Sequence, residues 1–362
     1  MHRTGEQNGA DIQQTGKWTH RFAQTLILAG LPAVVLTFGA LFADKPLGIL
    51  LVLGEPLLLA GGLYLVVLSV WNRNFFMATA FGFAVAIGGY AIHEPTTRYT
   101  ALGGSPEWVR ELRGCTILPK PVTGPVRILT WSIDPQKPID TDIDTLLTYS
   151  PDIVVIYGTD SPKLGDKISA ALDGEAKFFR GNQDVGGIMA IVRGSFQYCG
   201  GSEDTWEINL PALQGGSSQV LLGFPHITDI GVVPLMMVRL DAMEGPADLL
   251  PWADRVAVGA SQTGAIAQSL GTRRLILVGN LQVPAQAQAV ALPLVSSGLS
   301  DVRTNPNWPH HYMGIPFLPQ HALDHIWIGR DWHAQATRIL DAAGQQRAPI
   351  MVDLVPETRT QR

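Results

Sequence analysis

The run LILVGNLQVP occupies residues 275–284. An apolar, strand-like stretch ends at Gly279, and Asn280 and Gln282 follow before a proline. An apolar strand that runs out at a glycine is where an α/β protein places a catalytic loop: the sheet fixes the strand end, and the loop carries the chemistry. A hydrolytic site wants a carboxylate at such a tip. This tip carries two neutral amides.

Outward from that stretch, short apolar runs alternate with helical patterns. The strand-like runs are VRILTWSI (126–133), DIVVIYG (152–158), AKFFRG (176–181), GGIMAIVRG (186–194), QVLLGFPHI (219–227), VVPLMMVRLD (232–241), RRLILVGN (273–280) and HIWIG (325–329). Helical spacing fits residues 140–149, 251–270 and 285–297, the last ended by Gly298. Many short strands flanked by helices predict a layered α/β domain. No internal repeat or low-complexity tract interrupts it.

In this order the runs resemble the endonuclease/exonuclease/phosphatase superfamily, in particular its membrane-anchored branch. VRILTWSI stands for the family's first strand, SPDIVVIYG for its SPDIVxLQE strand and GGIMAIVRG for the GGxAILSR hairpin. LILVGNLQVP stands for the GDFN loop, and NWP with LDHIWI for the closing TWP and DH motifs. The resemblance spans about 126–335 and implies a four-layer α/β sandwich of two β-sheets flanked by helices, with the domain expected over 126–355. It also implies a divalent metal held by the Glu of LQE and the first-strand Asn, which polarises a phosphoryl oxygen while an Asp–His pair handles the proton of the attacking water.

Carried over residue by residue, that machinery is degenerate. The first-strand Asn falls on Ser132, the metal-binding Glu on Gly158, the mid-chain His on Arg239, and the Asp and Asn of GDFN on Asn280 and Gln282. Only the closing pair matches, as Asp324 and His325, and a buried pair locking the last strand is the expected role for them. Mg²⁺ needs carboxylate oxygens, and the positions that would supply them do not. Asp160 lies two residues past Gly158, beyond the expected strand end. No metal, no cofactor and no catalytic residue is therefore expected. Four histidines, His310, His311, His321 and His325, cluster in sequence without a zinc-ligand spacing, and no phosphate-binding glycine motif stands at a strand-to-helix junction.

The amino-terminal third is of another kind. Residues 1–21 form a polar leader, and three apolar spans follow at about 22–42, 47–71 and 75–92, each near the ~20 residues that cross a hydrocarbon core. No clean cleavage site follows the first span, so it is expected to remain as an anchor. Arg3, Lys17 and Arg21 in the leader and Arg73 in the second loop place those segments in the cytoplasm. Three crossings then put the residues past the linker (93–125) in a periplasmic or extracellular compartment of a plasma or inner membrane. Glu55-Pro56 lies within or at the edge of the second span. Cys115 and Cys199 fall in the exported part, where they are either bridged or two separate thiols; a bridge would add on the order of 4 kcal/mol. Ala78, Gly82 and Ala86 give the third span a small-residue face for helix packing.

Residues 99–362 carry 20 Lys/Arg against 26 Asp/Glu. That sign excludes nonspecific nucleic-acid binding, which relies on a basic surface. The resulting expectation is a membrane-anchored pseudoenzyme serving as a structural or assembly subunit, with the lipid bilayer and integral membrane proteins as partners. Two alternatives stand beside it: a metal-dependent extracytoplasmic phosphoesterase, and a non-catalytic module that binds a phosphorylated lipid or glycan.

Overall fold

The computed structural model describes residues 124–133, 143–144, 147–159, 161–179, 187–196, 205–209, 218–227, 229–240, 246–283, 287–302, 323–340 and 348–357, with residues 61, 64, 66, 67, 70 and 71. The first and third spans, most of the second, Asp160, both cysteines, the histidines 310, 311 and 321, and the 78/82/86 face lie outside them. Among the described residues, no helix is long and apolar enough to cross a membrane.

Two six-stranded sheets are built mostly from apolar runs. The first holds β1 (Val126–Ser132), β2 (Ile153–Tyr157), β3 (Glu175–Phe179), β4 (Ile188–Val192), β14 (Trp332–Ile339) and β15 (Ile350–Pro356), in the order β14-β15-β1-β2-β4-β3. The second holds β6 (Thr205–Asn209), β7 (Gln219–Gly223), β10 (Leu235–Arg239), β11 (Ile276–Asn280), β12 (Leu299–Asp301) and β13 (Asp324–Gly329), in the order β12-β13-β11-β10-β7-β6. A small third sheet joins β5 (Gly194–Phe196), β8 (Pro225–Ile227) and β9 (Gly231–Val232).

Strand alternation sorts the side chains into three apolar layers. Ile128, Ile153, Val155, Met237, Ile276, Val278 and Ile326 pack between the two large sheets. On the other face of the first sheet, Leu129, Trp131, Val154 and Ile156 meet Leu164, Ile168 and Leu172 of helix α1 (Pro162–Leu172). On the other face of the second, Met236, Val238, Leu277 and Trp327 meet the helices α2 (Leu249–Leu270) and α3 (Gln288–Ser296). Helix, sheet, sheet, helix is the layering that the sequence resemblance implied.

Helix α1 is not among the helices that the sequence spacing predicts, though its capping is explicit. Ser161 accepts from the Leu164 amide, Pro162 opens the first turn, and Asp173 closes the helix in the left-handed region. Four strands also went unmarked: β6, β12, β14 and β15. Of these, β15 matters most, because it lies between β14 and β1 and lies beyond the stretch covered by the resemblance. The far end of the first sheet is closed by Arg127, whose guanidinium binds the Asp353 carboxylate at 2.5 and 3.3 Å and the Tyr149 carbonyl at 2.6 Å.

Core depth and edge exposure should separate cleanly in this sheet. Ile350→Ala on the buried β15 is expected to lower unfolding free energy by about 2–5 kcal/mol. Gln335→Ala, on the exposed edge strand, should change it by less than about 0.5 kcal/mol. Chemical denaturation of both variants checks the pair.

Candidate functional site: the closed end of the sandwich

At one end of the sandwich the strands present polar residues to the gap between the sheets. Ser132 and Tyr157 are register partners at the ends of the parallel strands β1 and β2. Facing them, Arg239, Asn280 and Asp324 form a row across β10, β11 and β13. Alternation places all five on the inter-sheet side, in line with the buried Ile128, Val155, Met237, Val278 and Ile326. The sequence predicted four of them as degenerate or retained family positions, and the fold brings those four together; Tyr157 is the addition.

The two rows are tied directly to each other. The Asn280 side-chain amide donates to Ser132 Oγ at 2.6 Å, and Ser132 Oγ donates to Asp324 Oδ1 at 2.5 Å. The Ser132 backbone amide donates to the other carboxylate oxygen at 3.2 Å. Alongside, the Tyr157 hydroxyl donates to the Val278 carbonyl at 2.8 Å. Every one of these bonds crosses from one sheet to the other. Ser132, Arg239, Asn280 and Asp324 are each 5% exposed or less.

This order of donors explains the amide at position 280. Ser132 has one hydroxyl proton, and it goes to Asp324. The serine oxygen then needs a donor from the other side, which an asparagine supplies and an aspartate cannot. An aspartate at 280 would also bring a second carboxylate onto the same serine, where like charges oppose ionisation of both. The arrangement leaves Asn280 Oδ1 buried without a partner, a cost of about 1–3 kcal/mol.

Gly158 follows Tyr157 with φ +88°, its amide donating to the Gly187 carbonyl at 2.9 Å. A Cβ added there would sit 2.5 Å from the Ile133 carbonyl oxygen. The backbone conformation itself thus excludes a side chain where the resemblance implies a glutamate. Gln282 also has a positive φ, 60°.

Asp324 and His325 are both buried and both hydrogen-bonded, each to a different partner. Neighbouring residues of a strand point to opposite faces. Asp324 faces the inter-sheet gap and Ser132, whereas His325 points into the helix-side layer, fully buried. Its Nε2 lies 2.7 Å from the Val283 carbonyl. A carbonyl only accepts, so Nε2 carries the proton and donates it.

No family model and no curated protein matches this chain. Solved structures do. Many of those similar to it are endonuclease/exonuclease/phosphatase proteins. One from Beutenbergia cavernae has a TM-score of 0.49 at 18% identity, over 64% of this chain and 72% of that one. Another, from Bacteroides thetaiotaomicron, has 0.47 at 13%, over 65% and 98%. A mannosyl-6-phosphatase of the same species has 0.44 at 13%, over 64% and 99%. At such identities the likeness to this superfamily is one of fold.

Burial holds the Tyr157 hydroxyl well above the ordinary phenol range, and the nearby Asp324 carboxylate pushes it the same way. The phenol therefore stays neutral in the folded protein when it ionises in the unfolded chain, so stability is lost as pH rises past the unfolded value of about 10. Tyr157→Phe is expected to cost about 1 kcal/mol at neutral pH. Above pH ~10 the wild type should lose about 1.4 kcal/mol per pH unit relative to that variant. Urea denaturation of both proteins across the alkaline range reads the crossover.

Proposed function

We propose that the chain is a membrane-anchored pseudoenzyme, a hydrolase-type sandwich kept for its surface and working as a structural or assembly subunit among integral membrane proteins. The observation that carries the reading is Gly158, where the backbone has no room for a Cβ, let alone a metal-binding carboxylate. Two further features support it. Asp324 is spent on Ser132 within the cross-sheet bonds, and the proton on His325 Nε2 is directed to a carbonyl on the other side of the sheet. A general base needs a free lone pair aimed at the water it activates.

The anchoring half of the proposal rests on the three apolar spans and on the described residues of the second. Tyr64, Val67, Val70 and Trp71 are helical and 63%, 55%, 46% and 84% exposed. Large apolar side chains left open at helical spacing suit lipid or a partner helix and do not suit water. On this reading the leader is cytoplasmic and the sandwich is extracytoplasmic, held near its partners by the tether, which raises its effective concentration toward them.

The test treats the degenerate positions as reversions. Full-length protein in mild detergent, with Mg²⁺ or Mn²⁺, is expected to hydrolyse neither phosphomonoesters nor phosphodiesters, and to copurify with integral membrane proteins. Gly158→Glu and Asn280→Asp together should restore no metal binding by calorimetry, and each alone should lower the melting temperature. Metal-dependent turnover by the wild type, abolished in Asp324→Ala, would overturn the proposal in favour of the phosphoesterase.

A further inference from the structure

The end of the sandwich away from Ser132 is rich in arginine. β1 and β2 start there and run in parallel toward Ser132 and Tyr157. β11 starts there too, beside the Arg330-Asp331 turn from β13 to β14 and the close of β15. The chain arrives from the linker at the same end, through Gly124 and into Val126. Six of the eight arginines among the described residues gather here: Arg127, Arg193, Arg273, Arg274, Arg330 and Arg338. The other two are Arg239, in the cross-sheet row, and Arg255, beside Asp248 on α2.

These ion pairs have an inside and an outside. Arg127 and Arg338 hold Asp353, Arg193 holds Asp152, and Arg273 and Arg274 share Asp331. The side chains of Asp152, Asp353 and Asp331 are 6%, 16% and 26% exposed, whereas the five arginines keep between 31% and 52%. Arg330 is exposed and has no ion pair among the described residues. A guanidinium carries five N–H donors, and Arg273 gives Asp331 only two of them. The carboxylates are thus the inner members and the guanidiniums the outer ones. Asp173, Asp229 and Glu357 are the exposed carboxylates at this end.

We propose that this arginine-rich end docks on the anionic phosphates of lipid headgroups, with the Ser132 end pointing away from the bilayer. The inference rests on the membrane-anchored reading given above. Arginine suits this occupant because its planar fork matches a phosphate with paired donors. The path of the chain supplies the second reason. Residues 93–125 lead from the last apolar span to this end of the sandwich, with Arg98, Arg110, Arg113 and Lys120 against Glu94, Glu107 and Glu111. Past Glu357 the chain adds Arg359 and Arg362 and no acidic side chain.

Charge sets the orientation. Residues 99–362 carry 26 Asp/Glu against 20 Lys/Arg, so an anionic surface repels the domain as a whole and attracts its outward guanidiniums. An acidic protein loop would be drawn to the same groups, but on the anchored reading the tether keeps the lipid surface at high effective concentration.

Hydrogen exchange on the full-length protein in lipid nanodiscs tests this. With phosphatidylglycerol in the disc, backbone amides of residues 271–275 and 329–332 should exchange more slowly than in pure phosphatidylcholine. Those of residues 249–253, at the other end of α2, should not change. A charge near an anionic surface is worth about fivefold in affinity, so Arg330→Gln should cut the protection about fivefold, and Arg330→Lys should keep most of it. Arg330 has no ion pair to lose, so neither variant should move the melting temperature. Salt at about 1 M should remove the protection. Protection that ignores phosphatidylglycerol, or that Arg330→Gln and salt both leave intact, overturns the inference. So does loss of an acidic copurifying protein from Arg330→Gln without any lipid dependence. Release of the chain from native membranes by alkaline carbonate sinks the anchored reading, and this inference with it; lipid-independent exchange in a chain that carbonate does not release sinks the inference alone.

Discussion

Ser132 is held from both sheets at once, and the closed end of the sandwich depends on it. Its hydroxyl accepts a hydrogen bond from the Asn280 amide and donates one to Asp324, while its backbone amide donates to the second oxygen of the same carboxylate. A serine is the shortest side chain that can do this. A longer residue at the end of β1 would push the strands apart, and an apolar one would remove the hydroxyl bond to the buried Asp324 carboxylate, at a cost of about 1–3 kcal/mol. Hydrogen bonds to a charged, buried group contribute about 1.5–3 kcal/mol each. The latch therefore rivals a large core side chain in its contribution.

The same geometry accounts for what the site does not offer. A phosphoesterase keeps its carboxylates open to a metal and its histidine open to water. Here the carboxylate is buried and bonded to Ser132, the histidine is turned toward the helix side, and the Ile133 carbonyl oxygen occupies the space that a side chain at position 158 would need. Each change alone would weaken catalysis. On the proposed reading they make this end of the sandwich a joint between the sheets, in a domain that works through its outer surfaces.

Much of this was legible in the sequence. Apolar runs with strong β-propensity located eight strand regions, and the family-like order of motifs gave the two-sheet layering. Among what escaped, three cases are instructive. The strand β15 follows a polar stretch near the end of the chain, and its place between β14 and β1 comes only from long-range pairing. Helix α1 carries clear caps and an apolar stripe of Leu164, Ile168 and Leu172 at four-residue spacing, a signal that was legible in the sequence. Tyr157 looked like part of an apolar strand. Its cross-sheet bond follows from the pairing of β1 with β2, which puts it beside Ser132 and opposite β11. Asp324 and His325, expected as a buried pair on the last strand, are both buried, and alternation along the strand sends them to opposite faces of the sheet.

Stability measurements on Asp324 test the central claim most directly. Residues kept for catalysis commonly cost stability, so removing them leaves a fold unchanged or firmer; a latch behaves in the opposite way. A double-mutant cycle of Ser132→Ala and Asp324→Ala, read by equilibrium denaturation, is expected to show each variant destabilised and a coupling of about 1.5–3 kcal/mol between the two sites. Stabilisation by Asp324→Ala, or a coupling below about 0.5 kcal/mol, would contradict the account and return the carboxylate to the status of an active-site group.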